Sequence, residues 1–313
     1  MNLRTIFILA FVIVFSACNL KGQQPDNTKP MYGETPKSAE LQDIDNDFRT
    51  ECLKRYKSID SAVNVHIDLA WRHFYHNELE TAMKRFNQAW LLNPEFPDSY
   101  FGFASLLDLQ KNTAEAKKFY KMGKAKDATG ERAKICYQRI ADCKEQLQDF
   151  RGTVDAYRQL SQLNPKDAFA FKKLGYFQME LGDFKNAQIH YSNAIALDPS
   201  DPVTYNNRGN LFQRQQNHDA AIADFTKAIA LDSKYIGAYV NRGTTEMETG
   251  NFIEAKRDFE NSVELDSGSG ELRRLLAVAK LSLHDKTGAC NDLVFAKRLG
   301  DAKADEIFSR TCQ

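Results

Sequence analysis

Backbone breakers are scarce: the 313 residues include 16 Gly and 8 Pro. Their combined share is well below the roughly 12% of an average globular chain. That argues against a turn-rich β fold and favours long helices. Surplus charge is also missing, because 42 Lys and Arg stand against 42 Asp and Glu. A dedicated nucleic-acid binder normally carries a basic excess, so no nucleic-acid partner is expected. Long apolar runs are absent but for one, the ten residues Ile6 to Phe15. A membrane-crossing helix needs about 20 apolar residues, and this run is too short. Catalytic signatures are lacking as well, with no G-x-S-x-G elbow and no H-E-x-x-H pair. Ser267-Gly268-Ser269-Gly270 follows a helical stretch and lacks the Lys of a phosphate-binding loop. No enzymatic activity and no cofactor are expected.

What is present begins with an address. Arg4 precedes the apolar run, and Phe15-Ser16-Ala17-Cys18 follows it, as in the end of a secretory signal. The stretch resembles a bacterial lipobox, with Phe15 in place of the usual Leu. The resemblance implies a signal peptide over 1–17 and a cleaved, lipid-carrying Cys18. Asn19 is not acidic, which suits the outer membrane, facing the periplasm. Residues 18–37 are polar, carry Pro25, Pro30 and Pro36, and cannot bury enough surface to offset their ordering entropy. A disordered tether on the order of 25 Å is expected there.

Beyond the tether the chain repeats itself. Three segments that begin at Phe171, Tyr205 and Tyr239 align at a spacing of 34 residues. Extension of that frame gives seven units, 63–96, 97–133, 134–167, 168–201, 202–235, 236–269 and 270–303, with three extra residues in the second. The eighth place of each holds Ala70, Ala104, Ala141, Gly175, Gly209, Gly243 and Ala277. The twentieth holds Ala82, Ala116, Thr153, Ala187, Ala221, Ala255 and Ala289, and all fourteen are small. Phe86, Tyr120, Tyr157, Tyr191, Phe225, Phe259 and Leu293 stand at the twenty-fourth.

Each unit holds two stretches of helical periodicity separated by turn residues. Small residues let the two helices approach, and the aromatic fills the remaining gap. Asp183 and Asn251 suit the cap of a second helix. A lone hairpin cannot cover its apolar surface, so neighbours must stack. The pattern resembles the tetratricopeptide repeat (TPR) family. It implies an all-α, right-handed superhelix of about seven hairpins that presents a concave groove to a peptide or partner protein. Residues 38–62 are expected to hold an N-terminal capping helix and 304–313 a C-terminal cap, the last helix running from Asp301 to Arg310. The departures are Arg273, at a usually aromatic place, and Leu160, at a usually small one.

In TPR proteins places 2, 5, 9, 12 and 13 of each first helix line the groove. Here these include Ile67, Trp71, Phe74 and Tyr75 in the first unit and Phe101 in the second. Exposed aromatics would serve as anchors for a partner, or, in a carbohydrate- or small-ligand-capturing lipoprotein, stack on sugar rings. Alternatively, the 38–58 helix packs over them. Further along the groove turns polar, with Lys172, Tyr176, Asn206, Asn210 and Arg214 suited to hydrogen-bond a peptide. Lys172 and Asn207 match two places of the carboxylate clamp of chaperone-binding TPR domains, but Tyr176, Gly237 and Asn241 break the set. Cys290 and Cys312 are either a disulfide that fastens the C-terminal cap or two thiols. His73 and His76 lie three apart near Glu78, but packing and turn positions explain them better than a metal.

Overall fold

The computed structural model describes residues 25–312. The expected signal segment 1–17, Cys18 and the tether as far as residue 24 lie outside the described residues. Among the described residues there are sixteen α-helices and no strand. They are α1 (Ala39–Tyr56), α2 (Ile59–Tyr75), α3 (Leu79–Leu92), α4 (Pro97–Leu109), α5 (Thr113–Lys126) and α6 (Glu131–Gln146). Then follow α7 (Phe150–Leu163), α8 (Ala168–Glu180), α9 (Phe184–Leu197), α10 (Pro202–Arg214) and α11 (His218–Leu231). The last five are α12 (Ile236–Glu248), α13 (Phe252–Leu265), α14 (Gly270–Ser282), α15 (Lys286–Arg298) and α16 (Ala302–Thr311). The chain divides into two compact units, Met1–Cys136 and Tyr137–Gln313, with the division inside α6.

In the second unit the hairpins α8/α9, α10/α11, α12/α13 and α14/α15 stack in chain order. The eighth-place glycines show why the hairpins close. A Cβ on Gly175 would sit 2.7 Å from the Tyr191 ring, and one on Gly209 would sit 2.5 Å from Phe225. The twenty-fourth-place aromatic therefore lies directly on the bare backbone of the helix opposite. Tyr191, Phe225 and Phe259 are all buried. In the first unit Phe86 instead reaches the next hairpin, where a Cβ on Gly102 would lie 2.2 Å from its ring. Tyr120 is only half-buried and its neighbour Phe119 takes the core place, 5.5 Å from Phe103.

Turn geometry is uniform across all seven hairpins. The residue that closes each first helix lies in the left-handed region: Asn77, Lys111, Gln148, Gly182, Gln216, Gly250 and His284. Asp183 caps α9 as expected, its side chain accepting from the Asn186 N–H. Asn251 does not cap α13; its amide donates to Thr249 Oγ1 at 3.1 Å instead. The three extra residues of the second repeat lengthen no loop. They add a first turn to α6, which has 16 residues where α4, α8, α10, α12 and α14 have 13.

Both ends are capped. α1 packs on α2 through Phe48 and Tyr56, whose rings flank His66, and through Cys52, whose Sγ lies 3.8 Å from His66 Nε2. Arg49 reaches on to α3, donating to the Leu91 carbonyl at 2.6 and 3.0 Å. α1 ends at Tyr56 and α2 starts at Ile59, so residues 59–62 belong to the first hairpin rather than to the cap. At the other end α16 closes the stack, and a disulfide joins Cys290 of α15 to Cys312, with Cα atoms 5.7 Å apart. Asp301 caps α16 by accepting from the Ala304 N–H, and it pairs with Arg274 at 2.9 Å.

The expectation of a disordered tether to residue 37 differs from what residues 25–37 do. This segment packs on the first unit. The Asn87 amide donates to the carbonyls of Asn27 and Lys29, the latter at 2.8 Å. Met31, Tyr32, Gly33 and Glu34 form a left-handed turn with φ of 49°, 56°, 75° and 56°. The Tyr32 ring lies 6.5 Å from Trp90, Lys37 sits 3.6 Å above it, and Glu34 pairs with Lys118. Specific hydrogen bonds and one aromatic ring thus offset the ordering entropy that the polar composition alone would leave uncompensated.

Candidate protein-interaction surface

The aromatic half of the expected groove is core. Ile67, Trp71, Phe74 and Phe101 are all at most 2% exposed, so none can receive a partner. Trp71 meets Phe74 and Phe86 edge-on, at 5.2 and 5.4 Å between centroids. Phe86 continues to Phe103 and Phe103 to Phe119, a chain of rings from the first hairpin into the second. Phe101 lies on Gly123 of α5. Every residue from Pro97 to Leu107 is buried, so α4 has no solvent face over that span. Tyr75 is half-buried, 6.4 Å from both Trp71 and Phe74. The 38–58 helix packs on α2 at His66, and Trp71 is covered at least by Phe74, Tyr75 and Phe86.

The polar groove places lie in the second unit. First helices α8, α10 and α12 lie side by side, and residues at or next to their groove places contact one another across a repeat. Arg214 of α10 pairs with Glu180 of α8 at 2.8 Å. Gln213 donates to both carboxylate oxygens of Glu248 on α12 at 3.2 Å. Asn241 of α12 donates to Asn206 of α10 at 2.9 Å, and Asn206 is buried by this. Lys173 of α8 reaches Glu145 of α6 at 3.1 Å. Tyr176 is 39% exposed and stands edge-on to Phe177, 5.0 Å away. Asn210 is half-buried.

Lys172 turns toward the start of the next hairpin and pairs at 2.8 Å with Asp201, the residue that caps α10. Burial pulls the Asp201 carboxyl up, but hydrogen bonds from Lys172 and Thr204 outweigh it and hold it below the usual carboxylate range. Lys172 is thus committed to a structural pair, which removes one of the two matches to the carboxylate clamp. The two histidines are also engaged. His73 Nδ1 meets Glu78 at 2.6 Å, and His76 Nδ1 lies 2.8 Å from the Arg72 carbonyl.

A set of residues that the sequence reading does not single out fastens one hairpin to the next. Arg208 of α10 forms a two-pronged pair with Asp224 of α11 at 2.7 and 2.8 Å. Its remaining amino group donates to Ser192 of α9, in the preceding hairpin, at 3.2 Å. One repeat later Arg242 does the same with Asp258 and Thr226. Both arginines are held more firmly protonated by the hydrogen bonds to their carboxylates, against the opposing effect of burial. A signal for them exists: Arg and Asp recur together at a 34-residue spacing in these two repeats, whereas the fourth carries Leu174 and His190 instead. Beside this pair Glu246 is buried, with Oε2 lacking a hydrogen-bond partner. Burial first, and then the charge of Asp258, raise its carboxyl to about 7. In the last hairpin Arg273 replaces the usual aromatic, and its guanidinium lies 4.9 Å over the Phe295 ring.

Comparison with protein families finds tetratricopeptide repeat models at 202–235 and 236–268 and a TPR repeat model at 178–216. The match at 202–235 has the bounds of the fifth repeat unit. No curated protein matches the chain. Among solved structures, MamA from Desulfovibrio magneticus RS-1, residue 41 to the end, is 16% identical with a TM-score of 0.51. It covers 56% of this chain and 100% of that one. The MamA RS-1 ArsTM double mutant is 15% identical, also with a TM-score of 0.51, and covers 56% and 98%. At such identity the likeness is one of fold. Hairpin geometry, repeat length and family models agree: the chain carries tetratricopeptide repeats, and its described residues fold as stacked hairpins of that kind.

Proposed function

We propose that the chain is a membrane-anchored scaffold without catalytic activity, which holds a peptide or protein partner on the first-helix face of its second unit. The observation that carries this reading is the row of exposed and half-exposed groups on α8, α10 and α12: Tyr176, Glu180, Asn210, Gln213, Arg214 and Glu248. They offer donors, acceptors and one aromatic at a repeat spacing, and arginine pairs behind them tie α10 and α12 to their neighbours. Such a face recognises an extended segment through its backbone and alternate side chains. Lipid at Cys18 would keep the partner near a bacterial outer membrane and raise its local concentration there. The carbohydrate reading depends on Trp71, Phe74 and Tyr75 as a stacking platform, and two of the three are core.

Crosslinking in native envelopes followed by mass spectrometry tests the scaffold. The expected result is a protein companion linked through residues of α8, α10 and α12, reduced at least about tenfold by Tyr176→Ala with Arg214→Glu. Crosslinks that spare these helices, or none at all, would refute the assignment. Intact mass of the membrane-extracted chain tests the anchor, through a mature species that begins at a lipid-modified Cys18.

A further inference from the structure

The chain as a whole is neutral, yet residues 111–126 hold six lysines, Lys111, Lys117, Lys118, Lys121, Lys124 and Lys126, against Glu115 alone. α5 sorts them. Its buried residues are Ala116, Phe119 and Gly123. Lys117, Lys121 and Lys124 follow at steps of four and three, which places them on one stripe of the opposite side. All three are exposed, as is Lys118 between them. Lys118 holds Glu34 of the N-terminal segment, and Asn87 on the neighbouring α3 holds Asn27 and Lys29. The chain therefore reaches the first unit over α3 and α5, beside this lysine stripe.

We infer that the exposed face of α5 is a docking surface for an anionic phospholipid bilayer. The inference rests in part on the lipid-anchor reading, which supplies the bilayer. With residues 25–37 packed down, only the six residues 19–24 separate Cys18, the candidate lipid site, from the fold. Fully extended, the stretch from Cys18 to Pro25 reaches about 25 Å, so the anchor would keep the first unit within that distance of the bilayer and let this face come down onto the headgroups. Lysines clustered next to a membrane attachment act within a Debye length of about 8 Å, and each is worth about a fivefold change in partition. One acyl-type signal and one polybasic surface together give the two-signal attachment that holds where a single weak signal does not. α5 contains no arginine, so the stripe lacks the planar forks that read nucleic-acid bases or grip phosphopeptides.

The test uses a chain that begins at Asn19, which keeps every described residue and removes the lipid. Co-sedimentation is measured with vesicles of phosphatidylcholine alone and of phosphatidylcholine with phosphatidylglycerol at three to one. Binding is expected only to the second, and it should weaken as salt rises. Lys117→Ala, Lys121→Ala and Lys124→Ala combined should lower it on the order of a hundredfold. Lys185→Ala, Lys227→Ala and Lys234→Ala combined, all exposed on the second unit, should leave it within about twofold. Thermal melts confirm that both variants fold. Equal binding to the neutral vesicles, no binding to the anionic ones, equal loss in both triple variants, or tighter binding to a DNA duplex or an acidic peptide would each overturn the inference. Failure of the anchor reading is seen separately, as an unmodified Cys18 in the mass of the full chain.

Discussion

Glu246 and His66 are each buried in one unit, and each is driven by burial toward its uncharged form. His66 is pushed down from 6.5 to about 4 by burial first and then by the nearby Arg85. The unfolded chain takes up the proton at a higher pH than the folded one, so the first unit loses stability as pH falls from about 6.5 to about 4. Glu246 is shifted the other way, and the second unit loses stability as pH rises from about 4.5 to about 7. A tenfold change in proton affinity corresponds to about 1.4 kcal/mol, so each effect is on the order of 3 kcal/mol before solvent screening reduces it. Both tryptophans, Trp71 and Trp90, lie in the first unit, so their fluorescence should report an acid-sensitive transition that Glu246→Gln leaves alone. The same substitution should raise the denaturation midpoint of the other transition at about pH 8 and not at about pH 4. An unchanged pH slope in that variant would refute the assignment. Neither group is legible in the sequence, because burial of a polar side chain depends on what packs over it.

Helices and their joints set the next scale. Arg242 and Asp258 are paired where the Asp258 side chain is 2% exposed, so Arg242→Leu alone leaves a carboxylate without compensation. A loss of about 3–5 kcal/mol is expected, and Arg242→Leu with Asp258→Leu should regain most of it. Urea denaturation of the two variants checks this; equal losses would show that the pair is not the cause. Gly175→Ala should cost about 1–3 kcal/mol, since the new methyl meets the Tyr191 ring. The turns should respond in the opposite sense. Gln216 holds φ at 59°, a region that costs an L-residue about 1–2 kcal/mol. Gln216→Gly should therefore stabilise by about 0.5–1 kcal/mol after its own entropic cost, read as a rise in the urea midpoint. Small residues at two fixed places announce every hairpin. They do not announce that α4 is buried along almost its whole length: its groove places follow from repeat position, and position says nothing of Gly102 and Gly123 drawing neighbouring rings onto the helices. Nor does composition reveal the packed segment at 25–37, which is held by Asn87, Trp90 and Lys118, residues without periodic signal.

For the molecule as a whole, the repeat length governs more than the fold. The C-terminal end is fastened by the Cys290–Cys312 disulfide across 22 residues, worth about 3 kcal/mol in the chain-entropy description. Reductant should therefore lower the melting temperature of the second unit and leave the tryptophan transition of the first in place. The hairpin frame and both caps are readable because each repeats or ends a strong pattern; the face that meets a partner depends on which side chains find one another. That distinction has a genetic consequence. Arg208 and Arg242 grasp equivalent hydroxyls, Ser192 and Thr226, one repeat back. Excision of codons 202–235 would bring Arg242 to Ser192 and heal the seam, while Glu248 would come to face Glu180. Loss of one whole repeat should therefore spare the fold while changing the charges offered to a ligand, so the number of repeats is set by what is bound rather than by folding.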